Sequence, residues 1–504
     1  MLVPRARAQA IVVATVAAAA LAACGTRVSR AEVIAGAGGG PVTITSTALT
    51  GGGAQASTDQ SAPPTLPSAD PTAAAGIAGG DGAAPAITGL TGTSPAGPTG
   101  ATSSSRPSAT PASSTKPAAS KASSTAAATN VPTGASCTQQ GTPIVLGQVG
   151  TFSGIIGASE GSAQPGLKAW AAAANASGGI ACHPVQVISF DDGGDAGKAQ
   201  SSIQTLVEQD HAIAVNAFVP VTLNGIQSYV DQNKVPVVGG DLLATTWNSD
   251  PYFFPQGAGF ETIIYAFLKY GLQQGKTKLA SLYCIEAAPC TNGESVIKRL
   301  APQIGLTDVY DAPISLAGAN FTQQCSTAKS KGADVLFIGA GATAVTAIGR
   351  DCANQGYHPL YLTEALAGLN SLADDPNLAG LALSDTNFPW MASGTPAQQA
   401  YQQGMQRFAP SVDAGGGSAN AWASGELFKK AILELGSAAT GPLTSADVLK
   451  GLSMVRDETL GGLAPSSLTF HAGAPADVVA CAFIAQIVDG KWTDPLNGKQ
   501  VCRS

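Results

Sequence analysis

Not one Phe, Trp or Tyr occurs in the chain before Phe152. Over 25–136 the sequence is mostly Ala, Gly, Ser, Thr and Pro. Such a stretch cannot bury enough apolar area to offset its ordering entropy, so it reads as a disordered linker. A coil of about 110 residues has an r.m.s. reach on the order of 60 Å, enough to act as a spacer across a cell-wall layer. Its Ser/Thr/Pro content equally suits O-linked sugar. Charge is scarce as well: the net charge is −7 and no basic cluster appears, which argues against nucleic acid as a partner. Past residue 22 no apolar run is long enough to span a bilayer. CxxC is absent and the four histidines are scattered, so the pattern offers no zinc or other metal site and calls for no cofactor.

What is present begins at the N-terminus. Arg5 and Arg7 precede an apolar run over 11–22, which ends in Leu21-Ala22-Ala23-Cys24. This is the layout of a secretory signal, too short and too alanine-rich for a spanning helix. Small residues followed by a cysteine resemble the lipobox of bacterial lipoproteins. That resemblance implies cleavage before Cys24 and diacylglycerol on its thiol; an ordinary signal peptide with a coincidental cysteine is the rival reading. Acyl chains hold by about 0.8 kcal/mol per buried CH₂, so a multiply acylated cysteine anchors firmly. The expectation is a signal over 1–24, a linker over 25–136, and a folded part over 137–504. The folded part is tethered outside the cytoplasmic membrane, within the cell envelope.

Eight cysteines remain: Cys137, Cys182, Cys284, Cys290, Cys325, Cys352, Cys481 and Cys502. An even set in an exported chain points to disulfides. Neighbourhood in the sequence favours Cys137 with Cys182, Cys284 with Cys290, Cys325 with Cys352, and Cys481 with Cys502. The first would contribute about 4 kcal/mol and the second about 2 by loop entropy.

Beyond Cys137, apolar strands alternate with longer helical stretches. Strands are expected over 143–149, 185–190, 212–218 and 235–238, with helices over 166–176, 196–208 and 223–232. Residues 247–260 break the rhythm with Pro251 and Pro255 and read as a crossing segment. A second set follows, with strands over 279–285, 308–314, 335–338, 360–362 and 381–387. Its helices are expected over 261–272, 293–304, 322–330 and 344–355. Helices over 396–408, 419–435 and 445–452 precede strand-like pieces at 467–470 and 478–488. Repeated βαβ units mean parallel sheets covered on both faces. The fold class is therefore α/β, with two Rossmann-like lobes joined by hinge crossovers. Lobe 1 is drawn at about 137–258 and 387–466, lobe 2 at about 259–386 and 467–504. Ligands of such sheets sit beyond the carboxyl ends of the strands.

Three segments carry a family likeness: Ile144-Val145-Leu146-Gly147 leading to Thr151-Phe152-Ser153-Gly154, then Val235-Pro236-Val237-Val238-Gly239-Gly240, then Ala333-Asp334-Val335-Leu336-Phe337-Ile338-Gly339. In order and spacing they resemble type I periplasmic binding proteins of the leucine/isoleucine/valine-binding branch. The resemblance covers 137–504 and implies a monomeric receptor that closes on a small polar solute, an amino acid or a related amide or acid. Its further partners would be an ABC permease with its ATPase subunits, and it would carry out no covalent chemistry. A surface sensor or adhesion module with the same fold, signalling to a protein partner, is the alternative.

The resemblance also assigns loops. In lobe 1 a hydroxyl or backbone group after the third strand and a small-residue turn after the fourth hold a ligand carboxylate; here these are Pro220-Val221-Thr222 and Gly240-Asp241-Leu242-Leu243. In lobe 2 an acid after a later strand binds an ammonium, and Glu364 stands at that position, a solvated loop carboxylate being its plain reading. Asp241 departs from the pattern, since a carboxylate there repels a ligand carboxylate unless it points elsewhere. Gly341-Ala342-Thr343 stands where the family often has an aromatic. Ser153 either offers a hydroxyl beside Phe152 or caps the next segment, and Thr222 either caps a helix or touches ligand. Tyr283 and Glu286 end a strand of lobe 2 and enter the tight Cys284–Cys290 loop, and they are further ligand candidates. Trp390 is a cleft wall or a hinge packing residue, and Trp247 is structural.

An enzyme reading rests on Gly157-Ala158-Ser159-Glu160-Gly161, which fits G-x-S-x-G. That motif needs its serine on the sharp turn at a strand's end, and Ser159 lies well beyond the strand, with His471 a partner only on paper. Gly339-Ala340-Gly341 lacks the third glycine of a dinucleotide loop.

Overall fold

The computed structural model describes Cys137 and residues 140–503. The signal expected over 1–24, with Cys24, and the linker over 25–136 lie outside the described residues.

The first sheet comprises β1 (Ile144–Gly150), β2 (Val185–Asp191), β3 (Ala214–Phe218), β4 (Val237–Gly240) and β5 (Phe253–Phe254), all parallel, in the order β2-β1-β3-β4-β5. Every residue of β3 and β4 is buried, as the unbroken apolar runs require of strands covered on both faces. The covering helices are α1 (Gly154–Glu160), α2 (Ala163–Ala176), α3 (Ala196–Gln204, continued by a π turn to Gln209) and α4 (Leu223–Asn233).

The second sheet takes β6 (Lys278–Cys284), β7 (Thr307–Ile314), β8 (Val335–Gly339), β9 (Leu360–Glu364) and β10 (Ala382–Asp385), all parallel. Its far edge is antiparallel: β11 (Cys481–Val488) pairs with β10, β12 (Lys491–Thr493) and β13 (Val501–Cys502). The order is β12-β11-β10-β9-β8-β6-β7. Helices α5 (Phe260–Gln273), α6 (Ala288–Ile304), α7 (Thr322–Ser330) and α8 (Ala342–Ala353) cover it.

Between β10 and β11 the chain returns to the first sheet as α9 (Pro396–Phe408), α10 (Gly416–Glu434) and α11 (Ser445–Leu452). Helix α10 packs on β4 and α2. Gly425 allows this, because a Cβ there would collide with the Trp170 ring. Trp170 is buried, donates to Glu426 Oε1 at 2.9 Å and meets Phe428 edge-on.

Three passages connect the sheets. Ala258 N–H donates to Thr386 O at 2.8 Å, Asn387 Nδ2 donates to Gln256 O at 2.8 Å, and Phe388 N–H donates to Leu463 O at 2.9 Å. In the third passage Phe470 meets Phe254 edge-on at 5.4 Å, and Val479 O accepts from Thr262 Oγ1.

All four expected disulfides are present: Cys137–Cys182, Cys284–Cys290, Cys325–Cys352 and Cys481–Cys502. Some expectations need correction. The segment 467–470 is not a strand but a single antiparallel bridge, Leu468 opposite Glu458. The crossing segment over 247–260 contains a short edge strand, β5. Helix α6 starts at Ala288 rather than 293, with Pro289 in its first turn, where the missing N–H costs nothing. Helix α1 was not expected at all.

Candidate functional site

Strand order reverses around β1 and β3 in the first sheet, and around β6 and β8 in the second, so their carboxyl-end loops diverge and leave crevices. A cavity lies where the two crevices meet. From the first sheet come Ile155, Ile156, Ser159 and Glu160 of α1, Pro220 after β3, and Leu243 after β4. The second sheet supplies Gly339 at the end of β8 with Ala340 and Gly341 after it, Glu364 at the end of β9, and the Cys284–Cys290 disulfide. A deeper wall is wholly apolar, formed by Phe260, Ile263, Ile264 and Phe267 of α5 with Leu316 and Phe337. Phe267 and Phe337 stack at 4.6 Å. The cavity measures about 90 Å³. One water needs about 10–15 Å³ on this measure, so there is room for a solute of roughly six to nine heavy atoms.

Among the described residues no Lys, Arg or His lines the cavity, and the charged groups in its lining are Glu160 and Glu364. Glu160 is 1% exposed and its Oε2 has no hydrogen-bond partner. Burial pushes its carboxyl well above the usual range, and the charges of Asp241, Glu364 and Asp192 push it further. Glu364 is half-buried as a residue, but protein surrounds its carboxyl. Burial raises it to about 7, against the pull of the Leu366 and Ala367 N–H groups, with Asp241 adding repulsion. Beside it, at the end of β10, buried Asp385 is raised by burial and then by Glu364 and Asp494.

The loops expected to hold a ligand carboxylate are already occupied by the chain's own acids. Asp241 is buried and raised by burial to about 6; its Oδ2 accepts Val219 N–H at 2.7 Å, and its Oδ1 accepts Leu243 N–H at 2.9 Å and the Trp247 indole at 3.3 Å. Thr222 neither caps α4 through its side chain nor faces the cavity: its hydroxyl donates to Asp192 Oδ2 at 2.6 Å. Thr151 Oγ1 and Gly194 N–H donate to Asp192 Oδ1. Asp191 accepts the N–H groups of Phe152 and Gly193. Burial alone would raise its carboxyl, but bonds from Ser153, Gly193 and Phe152 prevail and hold it below its ordinary value.

Among the expected ligand residues, Glu364 alone lines the cavity. Phe152 packs its ring near Phe218, and Ser153 is exposed without capping α1. Val221 packs against the core while its neighbour Pro220 reaches the cavity. Tyr283 and Ala342 stand next to the lining residues Cys284 and Gly341 but do not line it themselves. Exposed Glu286 accepts from Ser315 Oγ and Leu316 N–H, which holds the Leu316 loop. Trp390 is not a cleft wall: it is buried, donates to Asn370 Oδ1 and meets Trp492 edge-on at 5.0 Å. Trp247 is structural, packed edge-on against Phe253. Ser159 sits on α1 rather than on a strand-end turn, and His471 pairs with Asp477.

Glu160 and the α5 aromatics were missed. The signal for Glu160 was slight: one acid in a Gly/Ala/Ser stretch just past the first strand.

Residues 143–491 match the profile of the periplasmic binding protein family, and the chain belongs to that family, whose members are extracytoplasmic solute-binding proteins. No curated protein matches the chain. Among solved structures it is similar to an ABC-transporter substrate-binding protein of Aeropyrum pernix, at 16% identity and a TM-score of 0.63, covering 72% of this chain and 96% of that one. A branched-chain amino acid ABC transporter protein of Thermus thermophilus with bound valine gives 12% identity and 0.62, covering 72% and 97%. A fatty acid ABC transporter substrate-binding protein of Thermomonospora curvata gives 16% and 0.61, covering 73% and 95%. At these identities the likeness is one of fold. Among the described residues no helix is long and apolar enough to cross a membrane.

Proposed function

We propose that the protein is a lipid-anchored solute receptor that delivers a small molecule to an ABC importer. The observation that carries this reading is the cavity walled from both sheets, with one buried carboxyl contributed from each side. The lobes, drawn at 137–258 with 387–466 and at 259–386 with 467–504, act as jaws. Contacts made only when both lobes touch the solute favour the closed state. Acylated Cys24 holds the receptor at the outer face of the cytoplasmic membrane, and residues 25–136 give it reach toward its permease. The receptor acts as a monomer, without cofactor and without covalent chemistry. The apolar wall turns the expected small polar solute into one with an apolar body and a polar head.

Thermal-shift screening of the full chain against a metabolite library tests this, followed by small-angle scattering on the hits. A true ligand at about 100 times its Kd stabilises by about 2.7 kcal/mol and compacts the protein. A library without hits, or hits without compaction, would count against the receptor reading.

A further inference from the structure

We infer that the solute is an apolar amine without a carboxylate, its ammonium held between Glu160 of α1 and Glu364 of β9. This rests on the receptor reading and names its ligand class.

Glu160 lines the cavity and offers a buried carboxylate oxygen that has no partner among the described residues. A buried carboxylate without a hydrogen bond costs stability unless something arrives to satisfy it. Among the described residues no cation lines the cavity to do so. An ammonium supplied by the solute answers Glu160 from the first sheet and Glu364 from the second, so it draws the two sides together.

On the first sheet, donors from the loops expected to hold a carboxylate are turned to the chain's own acids. Asp241 takes the N–H groups of Val219 and Leu243, and Asp192 takes the Thr222 hydroxyl and the N–H of Gly194. A zwitterionic amino acid would bring its carboxylate to a site already filled by carboxylates, among unpaired acids. Past the acids, Phe260, Ile263, Ile264, Phe267 and Phe337 ask for a hydrocarbon body. The cavity's size sets a body of a few carbons or one ring.

The test is a set of matched compounds titrated calorimetrically into the full chain. 3-Methylbutan-1-amine is compared with L-leucine, 4-methylpentanoate and 3-methylbutan-1-ol, and benzylamine with benzoate and benzyl alcohol. An amine should bind at least tenfold tighter than its zwitterionic, acidic and neutral partners. Glu160→Gln and Glu364→Gln, each checked for folding by circular dichroism, should each weaken that amine about tenfold or more. The inference fails if a zwitterion or acid binds better than the amine, or if both folded variants keep amine affinity. It fails too if no amine binds while the library yields only hits without a cationic group; in these cases the receptor reading stands. Silence from both the matched set and the library overturns the receptor reading itself.

Discussion

The Asp241 carboxylate accepts the backbone N–H of Val219 at 2.7 Å and so joins the loop after β3 to the loop after β4. With Leu243 N–H and the Trp247 indole it forms a self-contained anion site, filled by the chain itself. Asp241→Ala leaves two buried donors, Val219 N–H and the Trp247 indole, and the half-buried Leu243 N–H without an acceptor, and each buried unsatisfied group costs about 1–3 kcal/mol. We expect a loss of at least 2 kcal/mol in urea unfolding. Acetate should restore part of it, raising the Tm of the variant and leaving that of the parent unchanged. Equal effects of acetate on both proteins would show that the site does not accept an anion.

Acidity sets a second expectation. Burial raises Asp241 to about 6 and Glu364 to about 7, and Glu160 and Asp385 are raised as well; Asp192 belongs to the same cluster as a source of charge. A carboxyl raised in the folded state binds its proton more tightly there than in the unfolded chain, so stability falls as pH climbs through the window between the two values. Here that window runs from about pH 4 to 7. Asp241 and Glu364 each account for on the order of 3 kcal/mol across it. Tm measured without solute should fall from pH 4.5 to 8, and Glu364→Gln should flatten the curve. An amine ligand should bind more tightly as pH rises through 7, releasing protons. A flat or rising Tm would contradict the buried acid cluster.

Ser159 and Gly341 face each other across the cavity so closely that a Cβ on Gly341 would stand 2.5 Å from the Ser159 hydroxyl oxygen. Alanine is tolerable, because that hydroxyl can rotate away; a longer side chain is not. Gly341→Leu should weaken the solute at least tenfold by wedging the two sides apart. The Tm without solute should change by little, since Gly341 has an ordinary backbone conformation before α8. Wild-type affinity in this variant would mean that the two sides need not approach to bind.

Cys137 and Cys182 close a long loop, with a sequence separation of 45, at the entry to the first sheet. By loop entropy the bond stabilises by about 4 kcal/mol. Replacing both by serine should lower the urea midpoint accordingly and leave solute affinity intact in the folded fraction. Unchanged unfolding would remove this bond from the stability of the fold.

Much of the architecture was legible because parallel strands buried on both faces write themselves as short apolar runs. Three helices, Thr322–Ser330, Pro396–Phe408 and Ser445–Leu452, were read to the residue; the last two open on capping boxes, Thr395 with Gln398 and Thr444 with Asp447. Helix α1 escaped because its glycines and small residues carry no helical periodicity. The site was harder. Glu364 could be placed through the family resemblance, which puts an acid after a later strand, but Glu160 is buried by elements distant in sequence, and nothing local marks that. Phe260, Ile263, Ile264 and Phe267 have the pattern of any core-facing helix, and only tertiary packing leaves a void beside them. Asp241 was singled out as a misfit; that it satisfies its own loops depends on the spacing of β3 and β4.

The side-chain amide of Asn387 has a mechanical consequence. It grips the carbonyl of Gln256 in one passage while its neighbour Phe388 grips Leu463 ahead of another. Passages clasped at one point resist gliding past each other, so under the proposed receptor reading a closing movement of the halves would be a swivel about that clasp. Travel would then grow with distance from it, and modest dihedral changes beside Asn387 would translate into a wide gape at the rim.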